Sequence, residues 1–166
     1  MRTLGEYTDE VFVMDRKRLW RPTVKVQIGR KGEFLSFLSG ISPQRKVNFA
    51  GGGINDGESA ASALQRELEQ ECGLSCRLQD LSKLPVLVDC LTPSSRQNWR
   101  KKHLIIAFLE VESFDVVKPD NKELIAPKVH KTIADFQLRI AMSPGTRPEA
   151  ATAYLEAAYK WLAMQL

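Results

Sequence analysis

At 166 residues the chain is long enough for one ordinary domain and short for two. Apolar residues make up 43% and charged residues 27%, which excludes a disordered tail, a collagen-like repeat and a disulfide-dense mini-protein. Lys and Arg number 24 against 20 Asp and Glu, a mild positive balance that suits a phosphate-bearing ligand.

Taken in chain order, residues 8–14 read as a short strand. From Thr23 to Ile28, Val24, Val26 and Ile28 alternate with polar residues, the period of a half-buried strand. A turn at residues 29–32 and a return over 33–38 complete a hairpin. Residues 46–49 form a brief strand leading into three glycines. The stretch 58–72 lacks Pro and Gly and spaces Ala61, Leu64, Leu68 and Cys72 as one helical stripe, with Gly73 placed to cap it. Residues 84–91 and 104–111 are β-rich apolar runs, and Pro148 suits the first turn of a closing helix over 147–165. That helix has Ala150, Tyr154, Ala157, Trp161 and Leu162 to pack on a sheet, or to use as a dimer contact. The interleaving predicts one α/β domain over 1–166 with a mixed sheet, monomeric or homodimeric.

The longest apolar run, Leu104 to Leu109, is far below the ~20 residues of a membrane helix. Three cysteines, Cys72, Cys76 and Cys90, leave at least one thiol free, and no signal-like stretch follows Met1. A reduced, cytoplasmic setting is the expectation. Zinc held by these cysteines with His103 and His130 would need tighter spacings than the sequence has, and free thiols are the preferred reading. His103, opening an apolar strand, reads as structural.

Chemistry concentrates in residues 51–74, where a glycine-rich loop enters an acidic helix. No Lys follows Gly57 as a P-loop requires, and Asp56 stands where a dinucleotide fingerprint has its last Gly. At about 100° per residue, Glu67 and Glu71 lie roughly 40° apart on one helix face, while Glu69 points away. Two stacked carboxylates beside open backbone carbonyls suit a hard cation such as Mg²⁺; a solvated acidic face is the plainer alternative.

The spacing from Gly52 through Glu58, Arg66-Glu67-Leu68 and Glu71 to Gly73-Leu74 resembles the Nudix box, G-x5-E-x7-R-E-U-x-E-E-x-G-U, with U aliphatic. One fixed position departs: Gln70 replaces the first Glu of the E-E pair. The resemblance implies an α/β/α sandwich and Mg²⁺- or Mn²⁺-dependent hydrolysis of a nucleoside diphosphate linked to another group. It further implies that Glu67 and Glu71 ligate metal, that Gly51 lends its carbonyl, and that Glu58 assists. Arg66 would steer a neighbouring carboxylate. Gln70 would be a weakened ligand, so faded catalysis in a nucleotide- or RNA-binding module is the alternative function. Glu123, with Asp120 behind it, is the candidate general base in the loop 118–123; a solvated turn competes with that reading.

Residues 52–59 and Trp20-Arg21-Pro22 are similar to the bacterial RNA pyrophosphohydrolase and dinucleoside-polyphosphate branch, although Val47 and Ala50 depart from it. Two basic runs carry a tryptophan each, 16–21 and 96–102. Arg21, Arg100 and Lys102 could pair with phosphates while Trp99 stacks on a base. Packing of Trp20 and Trp99 against the sheet is the competing reading. The expected partner is a nucleotide or an RNA 5′-phosphate end, with no membrane.

Overall fold

The computed structural model describes residues 1–166. Seven strands form one mixed sheet: β1 (Trp20–Arg30), β2 (Glu33–Ser39), β3 (Lys46–Asn48), β4 (Ala50–Gly53), β5 (Val86–Pro93), β6 (Lys101–Glu110) and β7 (Ile125–His130). Their order is β3-β2-β1-β6-β5, with β4 paired to β1 and β7 to β2. Only β1 and β6 run parallel; the remaining pairs are antiparallel. The helices are α1 (Asp9–Lys17), α2 (Ala60–Cys72), α3 (Leu78–Ser82), α4 (Ile133–Ala141) and α5 (Pro148–Met164).

Strand alternation divides the core into two layers. Val24, Val26 and Ile28 of β1 and Ile105 and Ala107 of β6 pack with Leu64, Leu68 and Cys72 of α2. Leu104, Ile106 and Phe108 of β6 point the other way, under Phe136 of α4 and Tyr154, Ala157 and Trp161 of α5. The result is the expected α/β/α sandwich. Trp161 stacks on Phe108 at 3.4 Å between ring centroids, so α5 spends its apolar stripe on the sheet.

The hairpin forms as read, with Arg30 opposite Glu33. Lys31 and Gly32 make its two-residue turn, both with positive φ (42° and 79°), which matches the twist of the flanking strands. Gly73 caps α2 in the left-handed conformation at φ 63°, while Ser59 accepts from the Ser62 N–H at its other end.

Three readings need correction. Residues 8–14 are helical, not extended: α1 has acids in its first turn (Asp9, Glu10) and bases in its last (Arg16, Lys17), complementing the helix dipole. It buries Phe12 and Asp15, three residues apart, against the sheet. β1 begins at Trp20 rather than Thr23, because β6 pairs with it from Trp20–Lys101 onward. The strand expected over 46–49 forms as β3 but ends at Asn48, and the glycines beyond it, expected as a loop, form a further strand, β4, on a different partner.

Two polar clusters, each centred on a histidine, fasten the elements together. His130 bonds Ser36 (2.6 Å) and Asp135 (2.7 Å), a Ser-His-Asp order that ties β2, β7 and α4 together. Ser36 is 0% exposed, so no substrate reaches its hydroxyl and the cluster is structural.

On the other face His103 lies between Asp15 of α1 (2.5 Å) and Asp89 of β5 (2.6 Å), and the Tyr7 hydroxyl donates to Asp89. Burial alone would lower the His103 pKa; the two carboxylates outweigh it and raise it. A raised folded pKa gives stability that is full below the unfolded value of about 6.5 and lost as pH rises through the folded one. Thermal melts should therefore show Tm falling as pH rises through that raised value. His103→Gln should flatten this part of the profile, and an unaltered profile would refute the assignment. Asp15→Ala, which breaks a buried pair, should cost about 3 kcal/mol.

Candidate active site

The register of β1 on β4 sets Lys25 opposite Gly51. Gly51 has φ 135°, and a Cβ there would lie 2.1 Å from the Val24 carbonyl oxygen. Only glycine therefore allows this close approach. The approach brings the loop backbone against the acidic face of α2: the Gly51 N–H donates to Glu71 Oε1 at 2.8 Å.

On α2 the core stripe Leu64-Leu68 carries Glu67 and Glu71 at its edge, both buried. Arg66 orients Glu67, donating to its Oε1 at 2.8 Å. The same guanidinium grips both oxygens of Glu58 at 2.9 Å and the Gly53 carbonyl at 3.0 Å. This hydrogen-bonded pairing holds the Glu58 carboxyl below its ordinary range and pushes Arg66 up. Glu58 also accepts from the Asn55 N–H and does not line the cavity. Its role here is to brace Arg66.

Glu123 arrives from the loop after β6. Asp120 donates its N–H to the Glu71 carbonyl at 2.8 Å, and Lys118 donates to the Cys72 carbonyl at 2.9 Å. The Asp120 carboxylate accepts from the N–H groups of Lys122, Glu123 and Leu124 at 3.0, 3.1 and 3.0 Å. Asp120 is thus occupied in building the turn that presents Glu123. One carboxylate oxygen from each of Glu67, Glu71 and Glu123 lies within 4.8 Å of the others.

Arg66 pairs with Glu67, whereas Glu71 and Glu123 have no ion-pair partner of their own. Burial pushes the Glu71 carboxyl up; Lys25 and the Gly51 N–H pull it down, and Glu67 and Glu123 push it up again. The donors are all hard oxygens, and their mutual crowding is what a divalent cation relieves. The residues present therefore fit Mg²⁺ or Mn²⁺ held by Glu67, Glu71 and Glu123. The Gly51 carbonyl expected beside them accepts from Lys25 Nζ at 3.2 Å.

These acids line a cavity of about 780 Å³. Seven basic side chains also line it: Arg21, Lys25, Lys46, Arg96, Lys102, Lys122 and Arg147. Burial lowers the Lys102 pKa, and Lys46, Arg21 and Arg147 lower it further, so these cations share one space. Such a wall concentrates positive potential and attracts anions.

Of the residues singled out in sequence, Arg21, Gly51, Glu67, Glu71, Lys102 and Glu123 meet in this cavity. Gln70 is exposed and does not line it. Trp99 and Arg100 lie outside it; Ser95 and Arg96 of the same loop face it instead. Sequence reading assigned no role to Lys25, Lys46, Lys122 and Arg147, and placed Arg96 only within the basic run 96–102. Lys25 had a visible signal, being the charged residue on the polar half of an alternating strand. Lys46 and Arg147 come from distant segments, and only the β2–β3 pairing and the seat of α5 bring them together.

The NUDIX domain family model matches residues 25–159. The chain belongs to the Nudix family of hydrolases. It is accordingly a pyrophosphohydrolase, of a family that acts on nucleoside-diphosphate-linked compounds and generally uses divalent metals. Among solved structures, a Nudix hydrolase from Nitrosomonas europaea superposes with a TM-score of 0.61 at 18% identity, covering 85% of this chain and 90% of that one. A MutT protein from Methanosarcina mazei Go1 gives 0.61 at 17% identity over 87% and 94%. The C. elegans Ap4A hydrolase gives 0.53 at 18% over 86% and 98%. These likenesses establish the fold. Comparison with curated proteins returned no match. No helix is long and apolar enough to cross a membrane.

Proposed function

We propose that this enzyme is a Mg²⁺- or Mn²⁺-dependent pyrophosphohydrolase of phosphate-rich nucleotide substrates: nucleoside triphosphates, dinucleoside polyphosphates or the 5′-phosphate end of RNA. The observation that carries the reading is the three-carboxylate cluster sharing one cavity with seven cations. A divalent ion, when bound, neutralises phosphate charge and lowers the pKa of attacking water. The buried Glu67 and Glu71 hold that ion, with Arg66 and the Gly51 N–H fixing their carboxylates. Glu123, the exposed member, reaches the same ion with one carboxylate oxygen and turns the other to accept the proton of attacking water. Arg21, Lys102 and the other cations bind and orient the phosphate chain. The Ap4A hydrolase fold-mate supports a polyphosphate substrate.

A panel of ATP, diadenosine tetraphosphate, ADP-ribose and triphosphate-ended RNA tests this, assayed for released phosphate with Mg²⁺, Mn²⁺ or EDTA. The expected result is metal-dependent turnover of at least one polyphosphate and none in EDTA. Binding without turnover under both metals would instead support a module whose catalysis faded with Gln70.

A further inference from the structure

The box and its later loop account for the acids of the site, but not for the ammonium placed among them. Lys25 projects from the central strand into the cavity and is only 9% exposed. Its Nζ has one hydrogen-bond partner, the Gly51 carbonyl at 3.2 Å, and no carboxylate lies within 4.0 Å of it. An ammonium has three N–H donors, so two remain for a ligand. Gly51 is thereby held at both ends, its N–H by Glu71 and its C=O by Lys25. A buried lysine is costly and is retained where its charge is used.

We propose that Lys25 is a catalytic residue, a tethered cation that contacts the scissile diphosphate and occupies the Gly51 carbonyl, closing that oxygen to a divalent ion. The inference rests on the hydrolytic reading above. In the step it assists, a water oxygen bonds to phosphorus and the water proton passes to Glu123. The anhydride P–O bond breaks, and its electron pair leaves on the departing phosphate. Lys25 faces the charge that builds up on the phosphate oxygens, and being covalently attached it needs no second metal equivalent.

Lys25→Met and Lys25→Gln test the proposal; both remove the charge, and Gln keeps a polar donor at the position. Both should lower kcat by about 10²-fold at saturating Mg²⁺, the size expected for losing one preorganised electrostatic partner. Mn²⁺ binding without substrate, followed by electron paramagnetic resonance, should move the opposite way. Removing the competing ammonium should tighten Mn²⁺ binding about tenfold, or add a bound ion per chain. General damage to the site would weaken Mn²⁺ binding instead, and that result would overturn the proposal. So would Lys25→Gln turnover within about threefold of wild type. The metal arm requires no turnover: an inactive wild type whose Mn²⁺ affinity still rises on substitution would refute the hydrolytic reading and leave the cation position intact.

Discussion

Glu71→Gln should lower turnover by at least about 10²- to 10³-fold on any substrate the wild type hydrolyses, with the fold intact. Glu71 is 3% exposed and lies within reach of Glu67 and Glu123, so its charge sits where a divalent ion is needed. The amide keeps an oxygen for the Gly51 N–H but removes that charge. Stability should move in the other direction. Burial raises the folded pKa of Glu71 above its unfolded value near 4.3, so the unfolded chain loses this proton first as pH rises. Ionisation of Glu71 therefore costs the metal-free wild type stability from about pH 4.3 up through the raised pKa. Without metal, Glu71→Gln should melt at or above the wild-type temperature near neutral pH, and Mn²⁺ should bind it more weakly. A fully active variant, or one that melts far below wild type, would show that Glu71 is not the buried metal-holding acid.

The acidic half of the site was legible because its spacing is local. Glu67 and Glu71 are one helical turn apart, and helix geometry alone stacks them. Glu123 came from the family resemblance, which points to the box or a later loop for a general base; the structure sets its carboxylate beside those of Glu67 and Glu71. The basic half was less legible. Lys46, Lys102 and Arg147 come from β3, β6 and the start of α5, and no sequence period connects them. The loop before β6 was read one face out of register: Arg96 lines the cavity, whereas Trp99 and Arg100 do not. An irregular loop has no periodicity to say which side chain turns inward. α1 was misread because seven residues rich in Val, Phe and Met look extended in isolation. Its charges at Asp9, Glu10, Arg16 and Lys17 argued for a helix instead. β7 escaped notice for a physical reason too: four of its six residues are exposed and it contains Pro127, so it lacks an apolar alternation.

Gly51→Ala and Gly57→Ala should separate lost space from lost backbone freedom. Both glycines have positive φ, 135° and 81°. At Gly57 a Cβ meets nothing within 4 Å, so the cost is the left-handed conformation itself, about 1–2 kcal/mol. At Gly51 the Cβ would lie 2.1 Å from the Val24 oxygen and 2.7 Å from the Lys25 Cα. Both belong to β1, which is held on its other edge by ten registered pairs with β6 and is not free to retreat. The chain would have to give up the β1–β4 pairing, and with it the Gly51 contacts to Glu71 and Lys25. A loss above about 4 kcal/mol follows. At roughly 2–4 °C per kcal/mol, Gly51→Ala should melt about 8–16 °C or more below wild type, and Gly57→Ala only a few degrees below. Any Gly51→Ala protein that stays folded should also bind Mn²⁺ poorly, because Glu71 has lost its backbone donor. Equal losses of Tm in the two variants would mean that the loop closes on β1 less tightly than the 2.1 Å approach requires.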